Sequence, residues 1–496
     1  MEKSTSFIWR LQDRFGNRAI FLLLLLISFL FRLPFFFRDY VDRDESTFIL
    51  VGQSWVDGHL PYTELWDIKP PLLFFFFAGI ISVFGKSFFA IRAVGALLVA
   101  TTAFFTYKLG TKVASKRTAL VLGVACVALQ SLFGSIQGVM SEHVGMVFLV
   151  PAIYIMVTRK TWPWLALAGL FMGISLMVKL NMAYTVLFLG LYLIYRFALE
   201  KRLAKNLAGI LAYGCAILLV IALTCLPYYL EGLQALWWKS VVQAPLDYAS
   251  ARRASVLNML PWFLSLSGFF YLAWRKKWLD VKNPSIQLLL VALIGVMYSF
   301  FKGGRINSHY LIQLYPVLLV LVGAVVGQMP FFKTFVMKRA YWWLLLLVPM
   351  ESYLEYVNIA KHKLERGSFY NGEGITVPNY LQSNGLDSEN ILFLGYHIGY
   401  WVLGENPPTK AATHPSNIGK PEMFAAYDNP RKTAMEELRH IMEVVVPNTV
   451  VIRKNRSIFD PELVAENAYI NARLKSHYAP PITVDKAEVF RLKKRP

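Results

Sequence analysis

Residues 38–73, RDYVDRDESTFILVGQSWVDGHLPYTELWDIKPPLL, decide how the rest of the chain is interpreted. This stretch directly follows the first long apolar run and ends in Lys69-Pro70-Pro71. It is dense in carboxylates, namely Asp39, Asp42, Asp44, Glu45, Asp57, Glu64 and Asp67. Carboxylates clustered beside a membrane span are unusual, and a catalytic site is a physical reason for them.

The chain as a whole has the composition of a membrane protein. Hydrophobic residues make up 56% of its 496 residues. Apolar runs that can cross a bilayer, about 20 residues each, recur up to residue 357. We predict eleven spans, at 19–37, 88–109, 118–134, 143–158, 162–178, 181–197, 206–229, 256–274, 285–301, 309–328 and 340–357. The sequence thus predicts a polytopic α-helical membrane domain over 1–357, with a first outer loop at 38–87, and a soluble domain over 358–496.

Lysine and arginine are distributed unevenly between alternate loops. The loops on the side of the N-terminus are basic and contain few acids, whereas loop 38–87 is acidic. This asymmetry predicts a cytoplasmic N-terminus and, with an odd number of spans, an extracytoplasmic tail. The apolar segment 71–85 is about 15 residues long, short for a span, and we interpret it as an interfacial or re-entrant helix. If it crosses, the count becomes twelve and the tail moves inside.

The net charge of +20 arises from 51 basic and 31 acidic residues. Topogenic lysine and arginine explain this excess in a polytopic protein, and the absence of a nucleic-acid-binding motif argues against nucleic acid as a partner. The three cysteines, Cys126, Cys215 and Cys225, fall inside apolar spans, so no disulfide framework is predicted. The N-terminus lacks the pattern of a cleavable signal, and the first apolar run is expected to remain as an anchor.

The tail contains both strand-like and helix-like patterns. Residues 391–395 (ILFLG) and 444–452 (VVVPNTVVI) predict strands, and the closing AEVFRLKK, residues 487–494, predicts an edge strand. Helical patterns lie at 433–444 and 460–475. A small soluble α/β or α+β domain is therefore expected.

Asp42, Asp44 and Glu45 are candidate catalytic residues because of their distance from the first span. They follow its end by only five to eight residues, so they are held at the membrane surface. A carboxylate there can act as a general base toward an acceptor hydroxyl. Two alternatives stay open, a solvated acidic loop and a metal site formed by the Asp-Arg-Asp triplet.

Residues 66–71, WDIKPP, form the second candidate motif. Pro70 and Pro71 stiffen the backbone and thereby fix the direction of Lys69. A fixed ammonium at the interface suits a lipid phosphate, although a lysine that snorkels to the headgroups explains the same residue. We assign Trp66 and Asp67 to a pocket for the acceptor or the sugar.

Several basic residues lie in outer loops, against the positive-inside trend. They are Lys179, Lys239, Arg252, Arg253, Lys302 and Arg305. Such residues can hold an anionic group, and a phosphate headgroup suits them. Lys179 ends the fifth predicted span, where an ionisable residue is a functional candidate. The loop FKGGRINSHY, residues 301–310, adds His309 and Tyr310 as phosphate-directed donors, although His309 alone is equally explained as a buried interface histidine.

Glu142 and His143 lie at the mouth of the fourth predicted span. They are able to bind a metal or to orient a ligand, and we place them with Trp66 and Asp67 in the acceptor or sugar pocket. One Glu-His pair does not define a metal site, so the sequence leaves the metal open.

The order of these motifs resembles that of the GT-C glycosyltransferases. The shared features are an acidic pair after the first span, a Lys-Pro-Pro after a gap, and a Gly-rich entry into a span of the form HY..Q.YP. The resemblance is greatest to the bacterial branch related to protein O-mannosyltransferases and to the lipid A aminoarabinose transferase. Residues 168–179 (AGLFMGISLMVK) and 391–410 (ILFLGYHIGYWVLGENPPTK) also look like this family.

The resemblance implies a GT-C-like fold with about eleven transmembrane helices, a polyprenyl-phosphate-linked sugar as donor, and transfer on the outer face. It places Asp44 at the family's catalytic aspartate, Glu45 at its acidic neighbour and Lys69 at the lysine that faces the donor phosphate. Two departures exist. The family often has a tyrosine where Phe48 stands, and in the aminoarabinose enzyme a glutamate precedes the matching lysine, where this chain has Ile68. The second departure puts a borrowed metal site in doubt.

We therefore expect an inverting membrane glycosyltransferase in a bacterial inner membrane, with a lipid, a glycan or a protein as acceptor. Asp44 would deprotonate the acceptor, and the outer basic residues would neutralise the departing polyprenyl phosphate. No cofactor is required, although a divalent metal stays possible. The alternatives are a transporter or flippase of a lipid-linked glycan, which would favour repeats and midplane charges that the sequence lacks, and a non-catalytic assembly subunit.

Overall fold

The computed structural model describes residues 7–39, 42–132, 134–251, 256–303, 307–330, 349–386, 388–413 and 415–493. The chain packs as two compact units. Unit 1 comprises residues 1–34, 92–224 and 252–355, and unit 2 comprises 35–91, 225–251 and 356–496. Loop 38–87 thus packs with the tail, a grouping that the sequence does not reveal. The division at residue 357 between a membrane domain and a soluble domain is a different one and stays a prediction.

Helices account for most of the chain before residue 330. In chain order they are α1 (Phe7–Arg32), α2 (Arg43–Val56), α3 (Pro71–Phe84), α4 (Phe88–Val113), α5 (Lys116–Leu129), α6 (Ser141–Thr158), α7 (Trp162–Val178), α8 (Ala183–Leu199), α9 (Leu207–Leu230), α10 (Gln234–Trp238), α11 (Ala244–Ala251), α12 (Leu260–Arg275), α13 (Pro284–Gly303) and α14 (Leu311–Val326). Short 3₁₀ or π turns lie at Leu33–Phe37, Gly134–Gln137, Leu180–Met182, Lys239–Gln243, Val256–Met259 and Ser308–Tyr310.

The polytopic helical fold class is confirmed, but the count of eleven spans is not. In the described ranges seven helices are long and apolar enough to cross a membrane, at Gly16–Phe37, Phe88–Val113, Ser141–Thr158, Leu180–Leu199, Leu207–Leu230, Pro284–Gly303 and Ser308–Val326. The predicted spans at 118–134, 162–178 and 256–274 correspond to α5, α7 and α12, of 14, 17 and 16 residues. The first half of the span predicted at 340–357, residues 340–348, lies outside the described residues. The segment 71–85 forms the 14-residue helix α3, and its interfacial position stays a prediction.

Two glycines of α7 explain how this helix packs against α9 in unit 1. A Cβ added at Gly169 would collide with the carbonyl oxygen of Tyr213, and one at Gly173 would lie 2.9 Å from the Cβ of Val220. Small residues spaced by four positions let helix backbones approach closely, which is the main source of packing energy between helices in lipid. Both glycines belong to the family-like segment 168–179, so this part of the motif has a packing reason.

Arg32 ends α1 and holds the segment that leads into α6. Its guanidinium is buried. It donates at 2.8–2.9 Å to the carbonyl oxygens of Gln130, Ile136, Gln137 and Gly138. A guanidinium presents five N–H donors in a rigid fork, so one side chain satisfies several carbonyls that would otherwise be buried without partners. This clamp fixes the backbone just before Glu142.

In unit 2 the sequence defines the start of α2 and of α3. Asp42 is the N-cap of α2, and its side chain accepts a 2.8 Å hydrogen bond from the backbone N–H of Asp44. Asp44 and Glu45 lie in the first turn, where the helix macrodipole favours negative charge. Pro70 and Pro71 occupy the N-cap and first position of α3, where a missing N–H costs nothing.

α2 and α3 pack side by side and run in the same direction. A Cβ added at Gly52 would lie 2.8 Å from the Cβ of Phe77, so the two backbones approach closely there. Near the starts of both helices, Asp44 Oδ2 lies 3.5 Å from Lys69 Nζ. Gly52 follows Asp44 by eight residues and Phe77 follows Lys69 by eight, so the helices are parallel. Both N-termini therefore lie together.

The tail forms a small mixed sheet. Its strands are β1 (Ile391–Phe393), β2 (Thr449–Arg453), β3 (Ile482–Val484) and β4 (Ala487–Arg491), in the order β1-β2-β4-β3. β1 and β2 are parallel, and the other two pairings are antiparallel. The edge position predicted for the closing strand is wrong, because β4 pairs on both sides. Its second neighbour β3 comes from a hairpin that the sequence analysis missed.

Helices alternate with these strands along the tail, and the predicted α/β tail is confirmed. They are α15 (Met350–Arg366), α16 (Glu373–Ser383), α17 (Gly399–Leu403), α18 (Pro421–Phe424), α19 (Ala434–Arg439) and α20 (Val464–His477). The helical pattern at 433–444 becomes α19 and a π turn at His440–Val445, so the strand predicted from 444 begins only at Thr449. The pattern at 460–475 becomes α20.

The contact at Gly52 predicts opposite effects for two glycine-to-alanine substitutions. Gly52→Ala is expected to destabilise the protein by about 1–3 kcal/mol, because overpacking forces α2 and α3 apart. Gly79 lies on α3 with nothing within 4 Å of an added Cβ. Gly79→Ala is therefore expected to be neutral or to stabilise by up to about 1 kcal/mol, since alanine favours helix. Thermal unfolding in detergent measures both, and equal effects would contradict the close approach.

Candidate active site

The acidic start of α2 and the Lys-Pro-Pro motif meet in unit 2. Asp44 and Lys69 form an ion pair, with 3.5 Å between Oδ2 and Nζ. The two side chains are 33% and 18% exposed, so the pair is partly accessible to solvent. The catalytic carboxylate and the phosphate-directed lysine predicted from the sequence are thus neighbours, although 25 residues separate them along the chain.

Lys69 is held from its backbone and from its ammonium. The buried Tyr62 donates a 2.6 Å hydrogen bond from its hydroxyl to the Lys69 carbonyl oxygen. Burial raises the pKa of the Tyr62 phenol well above its usual range, so the hydroxyl keeps its proton and stays a donor. The Lys69 ammonium also lies 5.4 Å from the centroid of the Phe48 ring, a cation–π distance. These contacts, with Pro70 and Pro71, orient the ammonium toward Asp44.

The other acids of the opening loop have different surroundings. Glu45 is buried. Asp42, also predicted as catalytic, has a structural role as the N-cap of α2. Asp39 is also buried and accepts a hydrogen bond from the N–H of Gly374 in the first turn of α16. Of the three residues predicted as catalytic, Asp44 forms an ion pair with Lys69.

Trp66 and Asp67, predicted to line a sugar or acceptor pocket, are both buried. The Trp66 indole is fully covered and donates to Ser240 Oγ at 3.0 Å. Asp67 Oδ1 accepts from Thr413 Oγ1 at 3.2 Å and from Asn417 Nδ2 at 3.3 Å. The other oxygen, Oδ2, is buried without a hydrogen-bond partner in the ranges that the structure describes. The pocket assignment of both residues stays a prediction.

A second charged cluster lies in unit 1. Lys179 forms an ion pair with Glu142, whose side chain is fully buried, and its ammonium is 3.5 Å from Ser141 Oγ. His309 Nε2 lies 3.9 Å from Glu142 Oε1, and the Tyr310 ring centroid lies 4.4 Å from the Lys179 ammonium. The structure thus brings together four residues that the sequence analysis singled out separately. The charge of Lys179 is already balanced by a carboxylate.

The remaining predicted residues have other surroundings or lie outside the described residues. His143 is fully buried, and its Nδ1 accepts from the backbone N–H of Met140 at 3.1 Å, which caps α6. Lys302 is exposed near the end of α13. Arg252, Arg253 and Arg305 lie outside the described residues. Among the residues that are described, no group of three or more His, Cys, Asp or Glu side chains is arranged to hold a metal ion.

Sequence reasoning missed the tail residues that contact α2. Thr47 Oγ1 lies 2.7 Å from Thr413 Oγ1 and 3.2 Å from His397 Nε2. His397 belongs to the family-like segment 391–410. That resemblance marked the segment as a candidate, but it did not identify His397 or any other single residue. Thr47 was findable in principle, because it lies one helical turn after Asp44.

The comparisons with known proteins agree with this architecture. Residues 68–228 match the family model of dolichyl-phosphate-mannose-protein mannosyltransferases. No curated protein sequence matches the chain. Two crystal structures of ArnT from Cupriavidus metallidurans are similar at 14% identity, covering 96% of this chain and 98% of that one, with TM-scores of 0.58 for the form bound to undecaprenyl phosphate and 0.61 for the apo form.

A third similar structure is the oligosaccharyltransferase from Archaeoglobus fulgidus, tethered with an acceptor peptide that contains the NVT sequon. It is 10% identical, with a TM-score of 0.50, and the match covers 98% of this chain and 75% of that one. This chain has the GT-C fold. The resemblance to GT-C glycosyltransferases that the motifs indicated is thereby confirmed.

Loss of the buried ion pair between Glu142 and Lys179 is expected to lower the stability of the protein strongly. Lys179→Met leaves the negative charge of the buried Glu142 carboxylate without its ammonium partner, with Ser141 and His309 still beside it, and is expected to destabilise the protein by about 3–5 kcal/mol. The double variant Glu142→Gln/Lys179→Met removes that charge and is expected to recover most of the loss. Thermal unfolding in detergent measures both.

The control for this test is Lys361, which pairs with Glu365 on the surface of α15 and is 70% exposed. Lys361→Met is expected to change stability by at most about 0.5 kcal/mol, because exposed pairs contribute little. If Lys179→Met is equally mild, the lysine does not serve to neutralise Glu142, and a role toward a ligand becomes the better explanation for it.

Proposed function

We propose that the protein is a membrane glycosyltransferase that moves a sugar from a polyprenyl-phosphate donor to an acceptor hydroxyl. The observation that carries this proposal is the ion pair of Asp44 and Lys69 at the adjoining N-termini of α2 and α3. The match to the mannosyltransferase family model begins at residue 68, beside this lysine, and supports the same reaction class. The GT-C fold supports it at the level of architecture.

The pair contains the two groups that such a transfer needs. Asp44 accepts the proton of the acceptor hydroxyl, whose oxygen then bonds to the anomeric carbon. The bond between that carbon and the phosphate oxygen breaks, and its electron pair leaves with the polyprenyl phosphate. Lys69 offsets the charge on the departing phosphate. In-line attack inverts the anomeric centre, and no nucleotide or ATP is consumed.

The helix termini add to the affinity for an anion. α2 and α3 are parallel, so the positive ends of both helix dipoles lie on the side where Asp44 and Lys69 meet. A phosphate that approaches Lys69 therefore gains from both dipoles. The partly exposed pair is open enough for its ammonium to exchange one anionic partner for another.

We further propose the setting of the reaction. The N-terminus is cytoplasmic, the tail and loop 38–87 are extracytoplasmic, and the membrane is a bacterial inner membrane. One similar ArnT structure contains undecaprenyl phosphate, which makes that lipid a suitable probe for this chain. The acceptor is a lipid, a glycan or a protein. His309, Tyr310 and Lys302 stay proposed phosphate ligands, as do Arg252, Arg253 and Arg305, whereas Lys179 is already paired with Glu142 and is proposed to neutralise that carboxylate.

Substitution of the base tests the proposal directly. Asp44→Asn is expected to lower transfer by about 100-fold or more, because an amide accepts no proton from the acceptor. The assay incubates purified protein with radiolabelled undecaprenyl-phosphate mannose and measures release of undecaprenyl phosphate. Asp57→Asn, at the other end of α2, is the control and should transfer at the wild-type rate. A folded Asp44→Asn protein with wild-type turnover would remove the base assignment.

The role of Lys69 is tested by binding and not by turnover. Lys69→Met is expected to weaken binding of undecaprenyl phosphate by about 10- to 100-fold, since a hydrogen bond to a charged group contributes about 1.5–3 kcal/mol. The control Lys361→Met removes an exposed lysine of the same unit and should bind as wild type does. Equal affinity of both variants in detergent micelles would contradict the assignment. Donor bound but never cleaved by wild type would favour a transporter.

A further inference from the structure

A chain of buried polar side chains joins α2 to the tail within unit 2. We call Thr47, Asp67, His397 and Thr413 the Thr413 cluster. Thr413 Oγ1 lies 2.7 Å from Thr47 Oγ1 and 3.2 Å from Asp67 Oδ1, and Thr47 Oγ1 lies 3.2 Å from His397 Nε2. Each of the four residues is at most 6% exposed. Buried polar groups arranged in this way rigidify what they connect.

The carboxylate sets the direction of these hydrogen bonds. An ionised Asp67 only accepts, so the Thr413 hydroxyl donates to it. Thr47 then donates to Thr413, and His397 donates to Thr47 from Nε2. The Thr47 hydroxyl also lies 3.0 Å from the Arg43 carbonyl oxygen, so its hydrogen is shared between two acceptors. The cluster therefore forms one directed chain that ends at Asp67, and Thr413 is its central link.

The two ends of the cluster lie next to the two members of the ion pair. Thr47 follows Asp44 by three residues, so both occupy the same face of α2 one turn apart. Asp67 precedes Lys69 by two residues. Movement of Thr47 relative to Asp67 would therefore change the distance between the carboxylate and the ammonium.

The backbone beside Asp67 is tied to the same part of the tail. The N–H of Trp66 donates to the Lys410 carbonyl oxygen at 2.7 Å, and the N–H of Ala412 donates to the Trp66 carbonyl oxygen at 3.2 Å. Residues 410–413 therefore lie against the segment that carries Lys69, while Thr413 reaches across to α2. One tail segment holds both partners of the ion pair.

We infer that the Thr413 cluster sets the spacing of Asp44 and Lys69, with Thr413, His397 and Asp67 as positioning residues. This rests on the proposed function, because the spacing matters only if the pair performs the transfer. The tail then belongs to the catalytic machinery as its support. A displacement of about 1 Å at reacting groups can lower a rate by about 100-fold, so a single lost hydrogen bond is measurable in turnover.

The test compares two substitutions of Thr413 that differ in the hydroxyl. Thr413→Val keeps the shape but removes the hydroxyl, which leaves Asp67 with one donor fewer and breaks the bond from Thr47 to the tail, so that Thr47 donates only to the Arg43 carbonyl oxygen. Thr413→Ser keeps the hydroxyl. We expect the valine variant to lower kcat about 10- to 100-fold with KM for undecaprenyl-phosphate mannose nearly unchanged, and the serine variant to restore most of the rate.

A second readout does not depend on catalysis. Hydrogen–deuterium exchange of amides 43–50 and 62–69 is expected to accelerate in Thr413→Val and to remain as in wild type in Thr413→Ser. If wild type transfers no sugar, the proposed function is wrong. The exchange result still tests whether Thr413 holds α2 against the segment that carries Lys69. Unchanged exchange and unchanged kcat in the valine variant would overturn the positioning role, as would a serine variant as slow as the valine variant.

Thr409 provides a matched control. It is as buried as Thr413, at 6%, and donates to a carboxylate of the tail, Glu437, at 2.7 Å. Thr409→Val is therefore expected to cost similar stability but to leave kcat and the exchange of α2 unchanged. If Thr413→Val fails to fold, Thr47→Val and Thr47→Ser make the same comparison from the α2 side of the bond. An equal loss of kcat in Thr409→Val would attribute the effect to general destabilisation.

Discussion

The parallel packing of α2 and α3 is the constraint on which the candidate site depends. A 14-residue helix is about 21 Å long, so antiparallel packing would place the start of one helix about 20 Å from the start of the other. Same-direction packing instead brings Asp44 to within 3.5 Å of Lys69. The connecting residues 57–70 must return along the whole helix, which explains a long loop at this point. Gly52 permits the close approach, because any side chain there would meet Phe77.

The ion pairs Glu142–Lys179 and Asp44–Lys69 are suited to different tasks. Glu142 and Lys179 are almost fully buried, and a buried pair is costly to break, because each charge left alone has no water to solvate it. Asp44 and Lys69 keep part of their surface in solvent, so separating them costs little. A pair that must admit a phosphate and an acceptor hydroxyl has to open in every cycle. The solvated pair meets this requirement, and the buried pair is better suited to holding α6 and α7 in place.

The sequence predicted the features that depend on neighbouring residues. It missed the contacts between residues that are far apart along the chain. Asp44 was identified because it closely follows the first span, and Lys69 because two prolines directly follow it, and both are local features of the sequence. Thr413 contacts Thr47 across 366 residues, and no local pattern marks such a partner. Glu142 and Lys179 were each singled out, yet Glu142 was paired with its neighbour His143 because only adjacency was visible. The edge position of the closing strand failed for the same reason, since its hairpin partner has a weak pattern.

The tail defines the conformation of loop 38–87 at several points. Asp39 accepts from the N–H of Gly374, Trp401 donates to Gln53 at 3.0 Å, and the backbone of Trp66 pairs with the tail on both sides. Between α2 and α3 the loop has no regular structure, so its buried backbone groups need other hydrogen-bond partners. At Trp66 the tail supplies them. Trp66 would lose the partners of both its N–H and its C=O if the tail were absent. A module that docks elsewhere has no need of such contacts. Their distribution along the segment that contains Asp44 and Lys69 favours a tail that supports the proposed reaction.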